Sequence, residues 1–123
     1  MIAWWPGRIK AGSATKHPSA FWDFLPTACE LAGIESPTDI DGISYLPTLL
    51  GHKQRQHDFL YWQYREKDAV RQGQWKAVRT RLAEPLELYD LNADICEHNN
   101  VAASNPAVVE RLESVIAKVR QED

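Results

Sequence analysis

Two tryptophans stand side by side, Trp4 and Trp5, at the end of an apolar run from Met1 that Pro6 and Gly7 stop. If this run is a strand, neighbouring side chains point to opposite faces. Both indoles are then buried only where the strand is covered on both sides, as in the middle of a larger layered sheet. The residues that follow do not supply those layers. Arg8 to Lys16 reads as a polar loop. Asp23 is placed to cap a helix running to about Ala32, with Pro26 tolerated in its first turn and Gly33 suited to ending it. Leu25, Ala28, Cys29 and Ala32 share one face of that helix. Glu35 to Gly42 is turn-rich, Leu46 to Leu50 makes one helical turn, and His52 to His57 is polar and exposed. One strand, one helix and long loops do not close a core.

The second half has a different character. Phe59 to Tyr64 reads as an aromatic strand. Ala69 to Arg71 and Trp75 to Arg79 read as the arms of a hairpin joined at Gln72-Gly73, and Leu86 to Leu91 as another strand. Along the second arm Trp75, Ala77 and Arg79 share one face, and Lys76 and Val78 the other. A final helix opens with Asn105 as cap and Pro106 at its first position, and Val109, Leu112, Ile116 and Val119 form its apolar stripe. The fold class is therefore α+β: a small antiparallel sheet covered by a C-terminal helix, preceded by a strand and helix that belong to a larger α/β domain. Residues 1–51 are read as the end of that larger domain and residues 52–123 as the small one.

Composition excludes some functions. A net charge of −3 gives no reason to expect nucleic acid or an anionic membrane as partner, and no apolar run is long enough for a spanning helix. Cys29 and Cys96 form no C-x-x-C pair or disulfide framework. The four histidines fit no compact zinc spacing, Asp39 and Asp41 are turn formers beside Pro37 and Gly42, and Ser44 lacks a nucleophile elbow. No metal site is expected in the chain.

Several phrases line up in order: Met1-Ile2-Ala3-Trp4-Trp5-Pro6-Gly7, Asp23-Phe24-Leu25-Pro26-Thr27 closing at Leu31-Ala32-Gly33, Asp41-Gly42-Ile43-Ser44, Ala69-Val70-Arg71-Gln72-Gly73-Gln74-Trp75-Lys76, and Glu87-Leu88-Tyr89-Asp90-Leu91 followed by Glu97 and Asn100. Together they resemble the C-terminal third of the arylsulfatase family, in the alkaline-phosphatase superfamily. The resemblance implies a four-stranded small domain attached to a larger catalytic one. It also implies a sulfuric ester hydrolase as parent, using calcium and a formylglycine nucleophile, usually periplasmic or secreted. The family's nucleophile phrase is C-x-P-S-R, and neither Cys29-Glu30-Leu31 nor Cys96-Glu97-His98 matches it. The family's calcium ligands precede the W-P-G phrase, so this chain is expected to bind no cofactor and to be inactive alone. One local departure is that Asp94 is followed by Ile95-Cys96 where the family usually has proline.

The same resemblance implies that loops of the small domain approach the active-site mouth. Gln63, Tyr64, Arg65 and Arg71 are the substrate-proximal candidates, the cations suiting a sulfated small molecule or glycan. The expected protein partner is the missing N-terminal catalytic domain, or a second copy, held through Trp4, Trp5 and the first helix. Two other readings stay open. The parent could be a phosphonate monoester or phosphodiester hydrolase, because the D-x-x-P-T phrase occurs across the superfamily. Alternatively, Trp62, Tyr64 and Trp75 could form the stacking surface of a free-standing carbohydrate-binding module.

Overall fold

The computed structural model describes residues 1–122 and divides into two compact units, Met1–His57 and the residues from Asp58 on. The last residue of the expected 52–123 domain, Asp123, lies outside the described residues.

The first unit is built around a short helix, α1 (Phe24–Ala32), which a 3-10 turn (Phe21–Asp23) leads into. Gly33 ends it in the left-handed region at φ 67°, its N–H reaching back to the carbonyls of the last turn. Asp23 occupies the cap position, yet its carboxylate makes no cap bond to α1. The side chain turns away to other donors. Oδ2 accepts from the Ala20 N–H at 2.7 Å, and Oδ1 accepts from the Ile43 N–H at 2.9 Å and meets His57 Nε2 at 2.8 Å. With Asp23 only 1% exposed, this is a buried polar hub. Thr27 extends it, donating to the Asp23 carbonyl at 2.7 Å and accepting the Tyr45 N–H at 3.0 Å.

The hub decides which way α1 faces. The helix buries Pro26, Thr27 and Cys29, and leaves Phe24, Leu25 and Leu31 exposed. The apolar face expected from helical spacing is buried only in part: Cys29 is buried and Ala28 half-buried, while Leu25 and Ala32 are exposed. Fixed hydrogen bonds from the 43–45 loop bring that loop onto the Thr27 side, and the unit offers nothing apolar to cover the opposite side. Gly42 makes the approach possible, because a Cβ there would overlap the Trp22 carbonyl oxygen. The single-turn helix α2 (Leu46–Leu49) follows. Gln54 then ties the loop back, its Oε1 accepting from the Thr48 N–H and its Nε2 donating to the Ser44 carbonyl at 2.9 Å. The stretch His52 to His57 is thus not simply solvated, because its amide and imidazole hold the unit together.

Met1 to Trp5 does not form a strand. A strand exists by pairing, and none of the described strands runs beside these residues. All five are exposed, Trp4 by 85%.

The second unit is a four-stranded antiparallel meander, β1 (Leu60–Tyr64), β2 (Lys67–Gln72), β3 (Trp75–Arg79) and β4 (Glu87–Asp90), in spatial order 1-2-3-4. Two-residue turns join the first three strands. Gly73 opens the second turn at φ 59°, a conformation that costs glycine nothing and whose twist suits a hairpin. Helix α3 (Pro106–Glu122) lies across one sheet face. In register across the sheet, Val70, Ala77 and Leu88 form a row that is completely buried, and Leu112 and Ile116 of α3 close on it with Leu86. Asn105 leads into α3, its carbonyl accepting the Val108 and Val109 N–H groups at 3.1 and 3.2 Å while its Nδ2 donates to the Val101 carbonyl at 2.9 Å. Asn100 saturates the β4 edge, Oδ1 accepting the Leu88 N–H at 3.1 Å.

A second buried carboxylate fixes the far end of α3. Asp68 is 2% exposed and takes a bidentate pair from Arg120 (2.9 and 3.0 Å to Nη2) together with the Tyr61 hydroxyl at 2.6 Å. Burial and the bond to Asp68 push the Tyr61 phenol above its ordinary range, and the bonds it donates to Asp68 hold the Arg120 guanidinium above its own. Arg120 also sits in the last turn of α3, where a cation favours the helix dipole. Among the described residues, no helix is long and apolar enough to cross a membrane.

Leu112→Ala should destabilise the second unit by about 2–5 kcal/mol, read as a lower urea midpoint with an unchanged slope. Asp23→Ala leaves three donors facing a void, so the first unit should lose about 3 kcal/mol or more. Amide exchange would show that loss as collapsed protection at Ile43 and Tyr45 while the sheet stays protected. Unchanged exchange at those amides would contradict the hub.

Candidate functional site

Strand alternation sorts the four candidates before any distance is considered. In β1, Tyr61 and Gln63 point to the α3 face, while Trp62 and Tyr64 point to the open face. Arg65 heads the β1–β2 turn. Arg71 lies on the open face with Tyr64, but it pairs with Leu60, whereas Tyr64 pairs with Lys67. Four residues of strand separate the two positions, about 13 Å. The structure therefore gathers Gln63, Tyr64 and Arg65 at one hairpin tip and sets Arg71 at the other end of the strand pair.

At the tip Gln63 Nε2 donates to the Arg65 carbonyl at 3.4 Å, a long bond in an exposed position. Tyr64 is 65% exposed, and the Arg65 guanidinium stands 5.3 Å from its ring centroid. Arg65 has φ 57°, one of two non-glycine residues with positive φ among those described. A side chain in that region costs on the order of 1 kcal/mol, and such outliers concentrate where a side chain is needed. The tip thus presents a phenol and a guanidinium to solvent beside each other, with the Gln63 amide on the opposite face of β1.

Arg71 belongs to a separate depression of about 330 Å³ on the open face, bounded by Trp62, Ala69, Arg71, Lys76, Ile95 and Glu97. Arg71 and Lys76 are directly paired across β2 and β3, like charges that repel. Glu97 relieves one of them, both its oxygens accepting from Lys76 Nζ at 2.6 and 2.7 Å. It does so from a left-handed backbone at φ 59°. The Arg71 Nε donates to the Gly73 carbonyl at 3.3 Å. Lys76 and Glu97 were not singled out from sequence as site residues. Alternation from Trp75 places Lys76 on this face, but nothing local signals that Glu97 returns to it. The Asp94 turn supplies that return: Asn99 N–H donates to Asp94 Oδ2 at 2.8 Å, and that bond above all holds the Asp94 carboxyl below its usual range. On the same face Tyr89 donates to Glu87 at 2.7 Å, and this bond pushes its phenol up to about 12.

Trp75 lies on the other side of the sheet, packed against the α3 core. It does not share a face with Trp62 and Tyr64, so the three aromatics form no common stacking platform. Ser44 donates to Glu30 and accepts from the Leu46 N–H at 3.2 Å, so its hydroxyl is engaged in closing the loop. Cys29 is buried and Cys96 exposed, both as free thiols. Among the described residues, no three His, Cys, Asp or Glu side chains converge as ligands of a metal ion. A divalent cation such as calcium needs about six oxygen ligands, so these residues do not fit one.

Residues 1–122 match the family described as N-sulphoglucosamine sulphohydrolase, C-terminal. The N-acetylgalactosamine-6-sulfatase of Mus musculus is 34% identical over 103 residues, covering 82% of this chain and 20% of that protein. A crystal structure of a Bacteroides thetaiotaomicron protein assigned to the sulfatases superposes with a TM-score of 0.70 at 31% identity, over 82% of this chain and 25% of that one. The phosphonate monoester hydrolase of Agrobacterium radiobacter shares the fold at a TM-score of 0.59 and 24% identity, over 81% of this chain and 24% of its own. The chain thus spans about a fifth of the length of the sulfatase relatives it matches. With both units inside the matched span and the four-stranded sheet and closing helix in place, the chain belongs to the sulfatase C-terminal family.

Proposed function

We propose that this chain forms the C-terminal wall and docking segment of a sulfuric ester hydrolase acting on a sulfated sugar, and that it carries none of the bond-breaking groups itself. The observation that carries this reading is the family match running unbroken through residues 1–122 of a chain that is one fifth of its relatives' length. The name of the mouse relative, an N-acetylgalactosamine-6-sulfatase, supports a sulfated amino sugar as the substrate class. In this reading calcium and formylglycine chemistry belongs to residues outside the chain. An exported parent is part of the proposal and rests on the resemblance.

The first unit would supply the docking. Phe21 is 92% exposed, Phe24 62%, Ile34 62% and Trp4 85%. So many large apolar side chains in so small a unit are the mark of a surface that another body covers. The preceding catalytic part of the parent is the proposed occupant. The second unit would supply the wall, with Gln63, Tyr64 and Arg65 at the hairpin tip reaching for the sulfated sugar. The retained backbone strain at Arg65 supports a role for its side chain. Arg71, separated from the tip, would act from the depression it shares with Lys76.

The fold likeness to a phosphonate monoester hydrolase favours a second reading, in which the parent cleaves a phosphorus ester. The nucleophile phrase of the parent separates the two. Cysteine in C-x-P-S-R goes with sulfate esters, and threonine or serine with phosphorus.

Purified chain should hydrolyse no aryl sulfate, with or without added calcium. Calcium-dependent turnover that survives repurification would overturn the assignment of the chemistry to other residues. Arg65→Gly should raise the stability of the second unit by about 1 kcal/mol, because glycine adopts the left-handed turn freely. A lowered denaturation midpoint would show that the Tyr64 stacking outweighs the strain, and would remove the argument that Arg65 is kept for a ligand.

A further inference from the structure

The strongest concentration of unpaired positive charge lies away from the hairpin tip, in the first unit. A cleft of about 870 Å³ opens between the loop after Pro6 and the segment that leaves α2. Arg8, Lys10, Lys16 and His17 line one side and Leu50 to His52 the other. No aspartate or glutamate lines it, in a chain whose net charge is −3. Among the described residues none of these three cations has an ion pair; Arg8 stacks on the Trp5 ring at 5.7 Å.

The loop that carries the cations is held by its own bonds. The Trp5 carbonyl accepts from the N–H groups of Arg8 and Ile9 at 3.1 and 2.9 Å, and the Lys10 carbonyl accepts the Ser13 hydroxyl at 2.7 Å. The opposite wall is braced by Gln54 on Thr48. A separate observation points the same way. His17 Nδ1 is buried and has no hydrogen-bond partner, an uncommon state for a ring nitrogen. Burial foremost holds this imidazole below its ordinary range, against the opposing charge of Asp23.

We propose that this cleft binds the oxyanion ester group of a sugar-sized ligand, a sulfate or a phosphate ester. Its volume falls within the range of small-molecule sites, about 300–1,000 Å³. Three cations with no lining carboxylate attract an oxyanion through charge-assisted bonds, and His17 lines the cleft beside them. This inference holds whichever ester the parent cleaves.

The test is an NMR titration of the full chain with N-acetylglucosamine 6-sulfate, N-acetylglucosamine 6-phosphate and unmodified N-acetylglucosamine. At least one ester should shift the His17 ring and Lys16 amide signals saturably, while the unmodified sugar leaves them in place. The ester that binds more tightly names the source. Lys10→Glu/Lys16→Glu should weaken binding by about tenfold or more, the loss of charge-assisted contacts. Lys67→Glu/Lys118→Glu makes the same change in net charge on the second unit and should leave affinity within about twofold. The proposal is overturned if no ester moves His17, if the unmodified sugar binds equally, or if both double variants lose affinity alike.

Discussion

The Asp23 carboxylate is nearly sealed from solvent and gathers contacts from three separate stretches of chain: the Ala20 amide, the Ile43 amide and the His57 ring. Burying a carboxylate costs several kcal/mol unless it is fully satisfied, so the three partners are needed as a set. The first unit has only two short helices and no sheet among its described residues, and it contributes little to any apolar core. Its order comes from this hub and from Thr27 beside it. That is also why α1 turns a partly polar face inward and leaves Phe24, Leu25 and Leu31 outward.

The second unit solves the same problem with a conventional core, yet it too carries a buried carboxylate. Asp68 joins Tyr61 of β1 to Arg120 at the end of α3, bonding residues 52 positions apart. Val70, Ala77, Leu88, Leu112 and Ile116 supply the apolar burial. The ion pair fixes where along the sheet the helix ends. With one sheet face taken by α3, the Arg71 depression lies on the other.

Legibility followed physical locality. Period-two alternation made β1 to β3 readable, and helical spacing with Pro106 made α3 readable, because a face repeated along one element leaves its signature in neighbouring residues. Alternation also sorted Trp75 from Lys76 correctly. It failed for Met1 to Trp5, because a pattern states what a strand would bury and not whether a neighbour is there to pair with. Asp23 looked like a helix cap because cap and hub use the same residue type. What separated them was the return of Ile43 and His57, 20 and 34 positions later, which no local window contains. The site divided in the same way. Gln63, Tyr64 and Arg65 are contiguous and stayed together, while Arg71 found partners, Lys76 and Glu97, that only the register and the Asp94 turn bring near.

Gly42 lies against the Trp22 carbonyl and the Pro26 ring, with no room for even one added carbon. The next residue donates to Asp23, and Tyr45 donates to Thr27. A methyl group at this point would thus lever two bonds open at once and free the 35–45 loop as a piece. Freed, that loop becomes a substrate for proteases, so the first sign of damage at Gly42 would be a clean nick in an otherwise folded chain.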